Sequence, residues 1–305
     1  MEFFKQNTKI DFMGFSKWAA VFSTILFVWS IVGLIIYGLN FGLDFTGGLQ
    51  VEVAYKIPAN LTQIRQQVSQ AGFHEAVVQS YGTSEEVLIT LRGGAQAKSE
   101  VVVNAVKKAL TDGHIQRVDF VGSQVGEELA TYGALALVIA LLATMIYIAI
   151  RFEYRFAVSS SLALIHDPML ILGVFAWFHV EFNLPALAAL LAVIGYSLND
   201  TIVIFDRVRE NFRKVRKATP REIMNLSINQ TLSRTVMTSG LTLVAVLSLF
   251  FLGGAMIHSF ALAMIIGIIV GTYSSIYVAG ALALVMGLDR KDFLPTPKKE
   301  LDLRP

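Results

Sequence analysis

Two acidic residues stand in apolar stretches where a charge is expensive. His166-Asp167-Pro168 interrupts the apolar run Phe156–Phe178, ~10 residues from its start, and Asn199-Asp200 lies ~5 residues from the end of the run Leu184–Phe205. An acid at the centre of a bilayer costs about 2.5–3.5 kcal/mol on insertion scales, so such groups face a bundle interior or a water-filled path, and function is the first hypothesis. The chemistry they offer is proton exchange. Desolvation disfavours a charged carboxylate, so a buried aspartate can hold and release a proton, and a fixed cation nearby opposes this. Arg234, at the mouth of the fifth apolar run, is the candidate cation for Asp200. The imidazole of His166 adds a second group suited to proton transfer beside Asp167. Asp200, Arg234, Asn199, Asp167 and His166 therefore form a candidate proton-coupling set. A plainer account stays open: Asp200 lies shallow enough to be solvated from the helix end, and His166 and Asp167 can serve as polar contacts between helices.

The elements that carry these residues are membrane-length. The chain has 305 residues, 54% hydrophobic and 16% charged, with mean hydropathy +0.60, where soluble domains run to about 25% charged. Six runs reach spanning length: Trp18–Leu39, Ala130–Ile150, Phe156–Phe178, Leu184–Phe205, Thr235–Leu252 and roughly Phe260–Leu284. A span needs ~20 apolar residues. The first run has too long an apolar core for a cleaved signal peptide and no small-residue cleavage site after it. If the six alternate, 18 of the 25 Lys and Arg fall on one side, and the two short opposite loops, His179–Asn183 and Gly253–Ser259, hold none. The positive-inside rule then makes both termini cytoplasmic and puts 40–129 outside.

That division predicts six segments: 1–39, tail and first helix; 40–129, an outer domain; 130–205, helices two to four; 206–234, a basic cytoplasmic segment; 235–288, helices five and six; and 289–305, a basic tail. In the outer domain, Leu49–Tyr55, Ala76–Ser80, Val87–Leu91 and Ile115–Val121 alternate as strands, with a turn at Gly82-Thr83-Ser84. Asn60–Val68 and Ser99–Leu110 have helical spacing, the first capped by Asn60 and stopped at Gly72. The order βαββαβ is the split, ferredoxin-like arrangement. Asp44, Phe45, Thr46, Gly47 and Gly48, in Phe41-Gly-Leu-Asp-Phe-Thr-Gly-Gly48, read as a stiff turn joining the first helix to this domain.

Several functions are excluded or unsupported. No Gly-Lys-Ser/Thr follows a glycine-rich loop, so a nucleotide-binding P-loop is absent. There is no cysteine, so no thiol nucleophile or Cys-based metal site, and no catalytic residue, metal or cofactor is expected. The net charge of +2 gives no reason to expect nucleic acid. Pro168 should kink the third helix. Gly195 loosens the fourth beside Asp200, and Gly267, Gly271, Ser275, Ala279 and Ala283 form a small-residue ladder in the sixth. The basic stretch Arg207–Lys217 should continue the fourth helix as an anchor on anionic lipid.

Three stretches carry a family resemblance: Phe41–Gly48; Gly195-Tyr-Ser-Leu-Asn-Asp200, running on to Phe205-Asp-Arg207 and Arg209-Glu-Asn211; and Thr231-Leu-Ser-Arg-Thr235 with Thr238-Ser-Gly240. With the topology and His166-Asp167, the chain resembles the SecF family of bacterial protein-export membrane proteins. The resemblance implies an α-helical polytopic membrane protein built like half of an RND-type bundle, with one periplasmic ferredoxin-like domain, in the bacterial inner membrane. It implies pairing with SecD, work beside the SecYEG channel and often YajC, and use of the proton-motive force on unfolded preprotein at the periplasmic side. It links the residues matching Asp200 and Arg234 to proton conduction. The alternatives are an RND-type proton antiporter half for small or lipophilic molecules, and a passive scaffold that stabilises the channel.

Overall fold

The computed structural model describes residues 9–74, 76–81, 83–92, 104–105, 107–108, 110 and 113–293. Among these, six helices are long and apolar enough to cross a membrane. The first is α1, Ser16–Ile36, entered through a short 3-10 turn, Phe12–Phe15. After a single turn, α2 (Leu43–Thr46), and a domain helix, α3 (Leu61–Gln70), come the other five. They are α4 (Ser123–Arg151), α5 (Tyr154–Trp177), α6 (Leu184–Lys214), α7 (Pro220–Leu252) and α8 (Ala255–Ser274). The last continues through a π-turn, Ser275–Ala279, into α9, Gly280–Val285.

Burial divides them. The apolar window of α5 is 61% buried and that of α4 is 6% buried. Thus α5, α6 and α8 make the centre, while α4, and likewise α1 and α7, present most of their apolar surface outward. Glycine permits the tight packing at the centre. A side chain on Gly267 would strike Val193, and one on Gly271 would meet Ser197 Cβ at 2.9 Å. The small-residue ladder is therefore a close approach of α8 to α6. At the basic end, Phe156 stacks on Phe205 at 4.2 Å and Phe212 on Phe293 at 4.9 Å. Phe45, Phe175, Phe182 and Leu190 fill the other end.

The α/β domain holds a four-stranded antiparallel sheet of β2 (Gly48–Ala54), β3 (Val77–Tyr81), β4 (Thr83–Arg92) and β5 (His114–Val121), in the order β3-β4-β2-β5. Leu49, Val51 and Val53 alternate onto one face and bury against Ile64 and Val68 of α3. Asn60 caps α3, its side chain accepting from the Thr62 and Gln63 amides, and Gly72, at φ +96°, ends it. The second domain helix expected at Ser99–Leu110 and the turn residue Gly82 lie largely outside the described residues. So do Lys298, Lys299 and Arg304 of the tail.

The structure redraws two boundaries. The fifth spanning helix begins at Pro220, not near Thr235, because Thr219 and Glu222 form a reciprocal capping box with Pro220 in the first turn. The basic segment is thus a helical hairpin, α6 and α7 turning within 215–219, with Asn211 bonded to Ser227 at 2.8 Å and Gln230 at 2.9 Å. Two short strands, β1 (Asn40–Phe41) and β6 (Glu181–Phe182), pair in parallel and tie the exit of α1 to the α5–α6 loop. Pro168 lies inside α5, which is helical on both sides of it.

Candidate functional site: two carboxylates inside the helix bundle

Asp200 is 3% exposed and sits on α6. Its one described hydrogen bond is long, from Ser239 Oγ of α7 to Oδ2 at 3.4 Å. Ser239 in turn lies 2.9 Å from Thr272 Oγ1 of α8 and accepts the Tyr196 hydroxyl at 3.3 Å. A string of hydroxyls therefore leads away from a weakly held carboxylate. Arg234 lies within electrostatic reach of Asp200, but its side chain is exposed and forms no ion pair among the described residues. Asn199, the neighbour of Asp200, also points outward. The structure brings Asp200 near Arg234 without joining them.

Asp167 is held very differently. It is 1% exposed and accepts three hydrogen bonds. His166 Nδ1 meets Oδ1 at 2.9 Å, while the hydroxyls of Ser197 and Ser274 donate to Oδ2 at 2.5 and 2.7 Å. The other ring nitrogen of His166 lies 2.7 Å from Ser23 Oγ on α1, and the ring stacks on Phe27 at 6.0 Å. Four helices, α1, α5, α6 and α8, meet at this carboxylate. Ser197 is one helical turn from Asp200 on α6, and Ser274 is two residues from Thr272 on α8, so both carboxylates hang on the same two helices. Ser23, Ser197, Ser239, Thr272 and Ser274 were not foreseen. Hydroxyls inside apolar runs facing the two acids were the available signal.

The glycine-rich stretch is a buckle. Asp44 Oδ2 accepts the Leu184 amide at 2.8 Å, and Asn183 Oδ1 accepts that of Ala186 at 3.0 Å, so two side chains cap the start of α6. Phe45 stacks on Phe182 at 5.9 Å. Thr46 Oγ1 donates back to Gly42 O at 3.1 Å. Gly47, at φ +67°, passes so close to α4 that a Cβ would lie 2.7 Å from Ser123 Cα. Gly48, at φ +136°, opens β2 with Leu91 O against it. Both positions require glycine. Beside the buckle, a cleft of about 440 Å³ opens between the sheet and the helix ends, lined among others by Glu52, Arg117, Asp119 and Met256.

Residues 101–289 match the profile of the protein export membrane protein SecD/SecF C-terminal family, and residues 32–56 match the SecD/SecF GG motif. The chain is 49% identical over 296 residues to the protein translocase subunit SecF of Vibrio alginolyticus, covering 95% of this chain and 94% of that one. It is 43% identical over 290 residues to the SecF of Escherichia coli O157:H7, covering 93% and 90%. Among solved structures it resembles SecDF, a translocon-associated membrane protein, from Thermus thermophilus, with TM-score 0.84 and 35% identity over 93% of this chain. A SecDF in the super-membrane-facing form aligns over 92% with TM-score 0.69 at 36% identity, so at equal identity the backbone arrangements differ. The chain spans 39% of the length of either SecDF chain. With both family profiles matched and near-full-length SecF relatives, this multi-pass membrane chain belongs to the SecD/SecF family, among its SecF members.

Proposed function

We propose that this chain is the SecF subunit of a bacterial protein translocase, which uses the proton-motive force to draw unfolded preprotein out on the periplasmic side of the inner membrane. It pairs there with SecD and works beside SecYEG, with YajC. Its six helices are half of an RND-type bundle, and residues 40–129 form a ferredoxin-like periplasmic domain. The strand order β3-β4-β2-β5 supports that domain assignment, and the one-sided Lys and Arg support cytoplasmic termini. A chain spanning 39% of SecDF fits a machine whose remainder lies on another polypeptide.

The observation that carries this reading is Asp200, a buried carboxylate that has, among the described residues, a single 3.4 Å hydroxyl contact and no ion pair. Such a group exchanges its proton without breaking a strong ion pair. Arg234 and Asn199 stand beside it on surface left open by this chain, where a partner or water must cover the arginine, since a cation in lipid costs several kcal/mol. The gradient is the energy source and no cofactor takes part. Each charge crossing gains about 2.3 kcal/mol per 100 mV. Protonation of Asp200 loosens its contact with α7, repacks α6 against α7 and α8, and moves the domain through the buckle at Asp44, Phe45, Thr46, Gly47 and Gly48.

The test is preprotein release from vesicles carrying the whole translocase, with and without a gradient. Asp200→Asn is expected to abolish the gradient-dependent part while the complex still assembles. Undiminished release would leave only a passive scaffold. Proton-coupled efflux of lipophilic molecules with normal preprotein release would favour an antiporter.

A further inference from the structure

The second buried cluster has a bond order that Asp200 lacks. The geometry points to Ser23, His166 and Asp167 as a separate proton-exchange site, in which His166 Nε2 takes up the proton, Ser23 passes it on and Asp167 stays an anion. This deepens the proton-coupled reading above and rests on it.

The connectivity is hydroxyl to imidazole to carboxylate: Ser23 Oγ to Nε2 at 2.7 Å, then Nδ1 to Asp167 Oδ1 at 2.9 Å. With a neutral ring every group is satisfied in one order. Ser23 donates to Nε2, Nδ1–H donates to Oδ1, and Ser197 and Ser274 donate to Oδ2. Three donors converge on the one carboxylate, which has no acceptor among them for a proton of its own. Asp167 is therefore the orienting group and the imidazole is the one free to change. Uptake is balanced: an incoming proton joins Ser23 Oγ as the proton already there passes to Nε2, and the imidazolium keeps its Nδ1–H on Asp167. The buried cluster goes from one net negative charge to a neutral ion pair with no movement of heavy atoms.

The same bond order serves nucleophilic serines elsewhere, where free amides hold an oxyanion. Ser23 lies in the middle of α1, whose amides are spent on helix bonds, so proton transfer is the chemistry available to it. Few other groups compete. Of the titratable side chains on the packed helices, α1 brings Lys17, about 9 Å along its axis from Ser23. The helix α6 brings Asp200 and Tyr196, both directed to Ser239. The last spanning helix brings Tyr273, which donates to Ala19 O at 2.7 Å, and, on its π-turn, Tyr277, whose ring lies tilted against that of Tyr273 at 5.3 Å. The site also meets a break in helical geometry. Ser274 is the last residue before the π-turn, and a π-turn in a helix often marks a functional position.

The experiment uses the complete translocase in vesicles, with nitrogen-15 histidine for direct observation of His166, identified by the signal lost in His166→Gln. The imidazole signal is expected to change between the neutral and the cationic ring when the gradient is applied. Ser23→Ala should lower gradient-driven export on the order of 100-fold and change its pH profile, whereas Ser23→Thr, which keeps the hydroxyl, should restore both. A ring that stays neutral throughout, or a Ser23→Ala translocase with a wild-type pH profile, overturns the inference. If Asp200→Asn is inactive in the same vesicles while His166→Gln exports normally, this site fails and the proposed function stands. If both export normally, the proposed function itself fails.

Discussion

Two aspartates inside one bundle meet opposite surroundings. Asp167 accepts three hydrogen bonds of 2.9 Å or less, and Asp200 one of 3.4 Å. On the proposal made above, they take different duties, one orienting and one exchanging. Ser239→Ala removes the only described donor to Asp200 and opens the hydroxyl string toward Thr272. Gradient-driven export should fall while the gradient-independent part persists, measured side by side in vesicles. Arg234 is not in contact with Asp200, so its charge rather than a fork of hydrogen bonds should matter. Arg234→Lys should retain most coupling and Arg234→Ala should lose it, read as export per unit of applied gradient. The acids were legible in the sequence because an aspartate in an apolar run has no ordinary explanation. Their partners were not. Thr24 and Ser30 donate to carbonyls of their own helix at 2.8 and 2.9 Å, while Ser23, in the same helix, reaches across to α5. Which hydroxyl turns inward is decided by helix rotation and packing, which the periodicity of a uniformly apolar helix does not encode.

The hydrophobic alternation of β2 and the helical spacing of α3 were enough to place those two elements, since each has one buried and one open face, whereas β4 is buried on both faces from Val87 to Leu91. Elements held by few residues escaped. The two-residue pairing of β1 with β6 has no sequence pattern, and the Thr219–Glu222 capping box lies inside the basic cytoplasmic segment 206–234, where no helix start is expected. The start of α6 depends on Asp44, 140 positions earlier in the chain, so Asp44→Ala should cost about 1 kcal/mol in stability, measured by thermal unfolding in detergent. Gly271→Val should cost more, because Ser197 blocks the space on α6, and overpacking of this kind costs typically 1–3 kcal/mol. At the basic end, the segment before α1 is clasped to α7. Asn229 bonds both the amide and the carbonyl of Ile10, and Asn225 bonds the Met13 amide and the Asp11 carboxylate. The hydrogen bond from Asn225, then the Gly14 amide and Arg221, hold Asp11 below the usual carboxylate range. A depressed folded value contributes stability above the unfolded pKa, and this is lost as pH falls through the folded one. The protection of the Met13 and Gly14 amides against hydrogen exchange, taken relative to their intrinsic rates, should therefore fall in acid, below pH ~4, in wild type. It should be low and independent of pH in Asp11→Asn.

At the scale of the whole molecule, the outward faces of α1, α4 and α7 are larger than a free-standing bundle needs, and polar Asn199 and Arg234 lie exposed. A chain without cysteine makes this testable. A single cysteine at Asn199 should cross-link to a SecD helix in membranes, whereas one at Tyr132 on α4, if that face meets lipid, should not. The buckle has a mechanical consequence. Asp44 grips the first turn of α6, and Asp200 rides on the same helix sixteen residues on, ~24 Å along the axis. On the proposed function, tension that a captive polypeptide exerts on the domain reaches that helix through Asp44 and Phe45, as it reaches α4 through the chain from Val121 to Ser123. Coupling of this kind is reciprocal: if proton binding moves the domain, a load hung on the domain must shift proton binding. A heavily loaded machine would then stall with its carboxylate trapped in one state, and proton flux would slow in step with the cargo rather than leak past it.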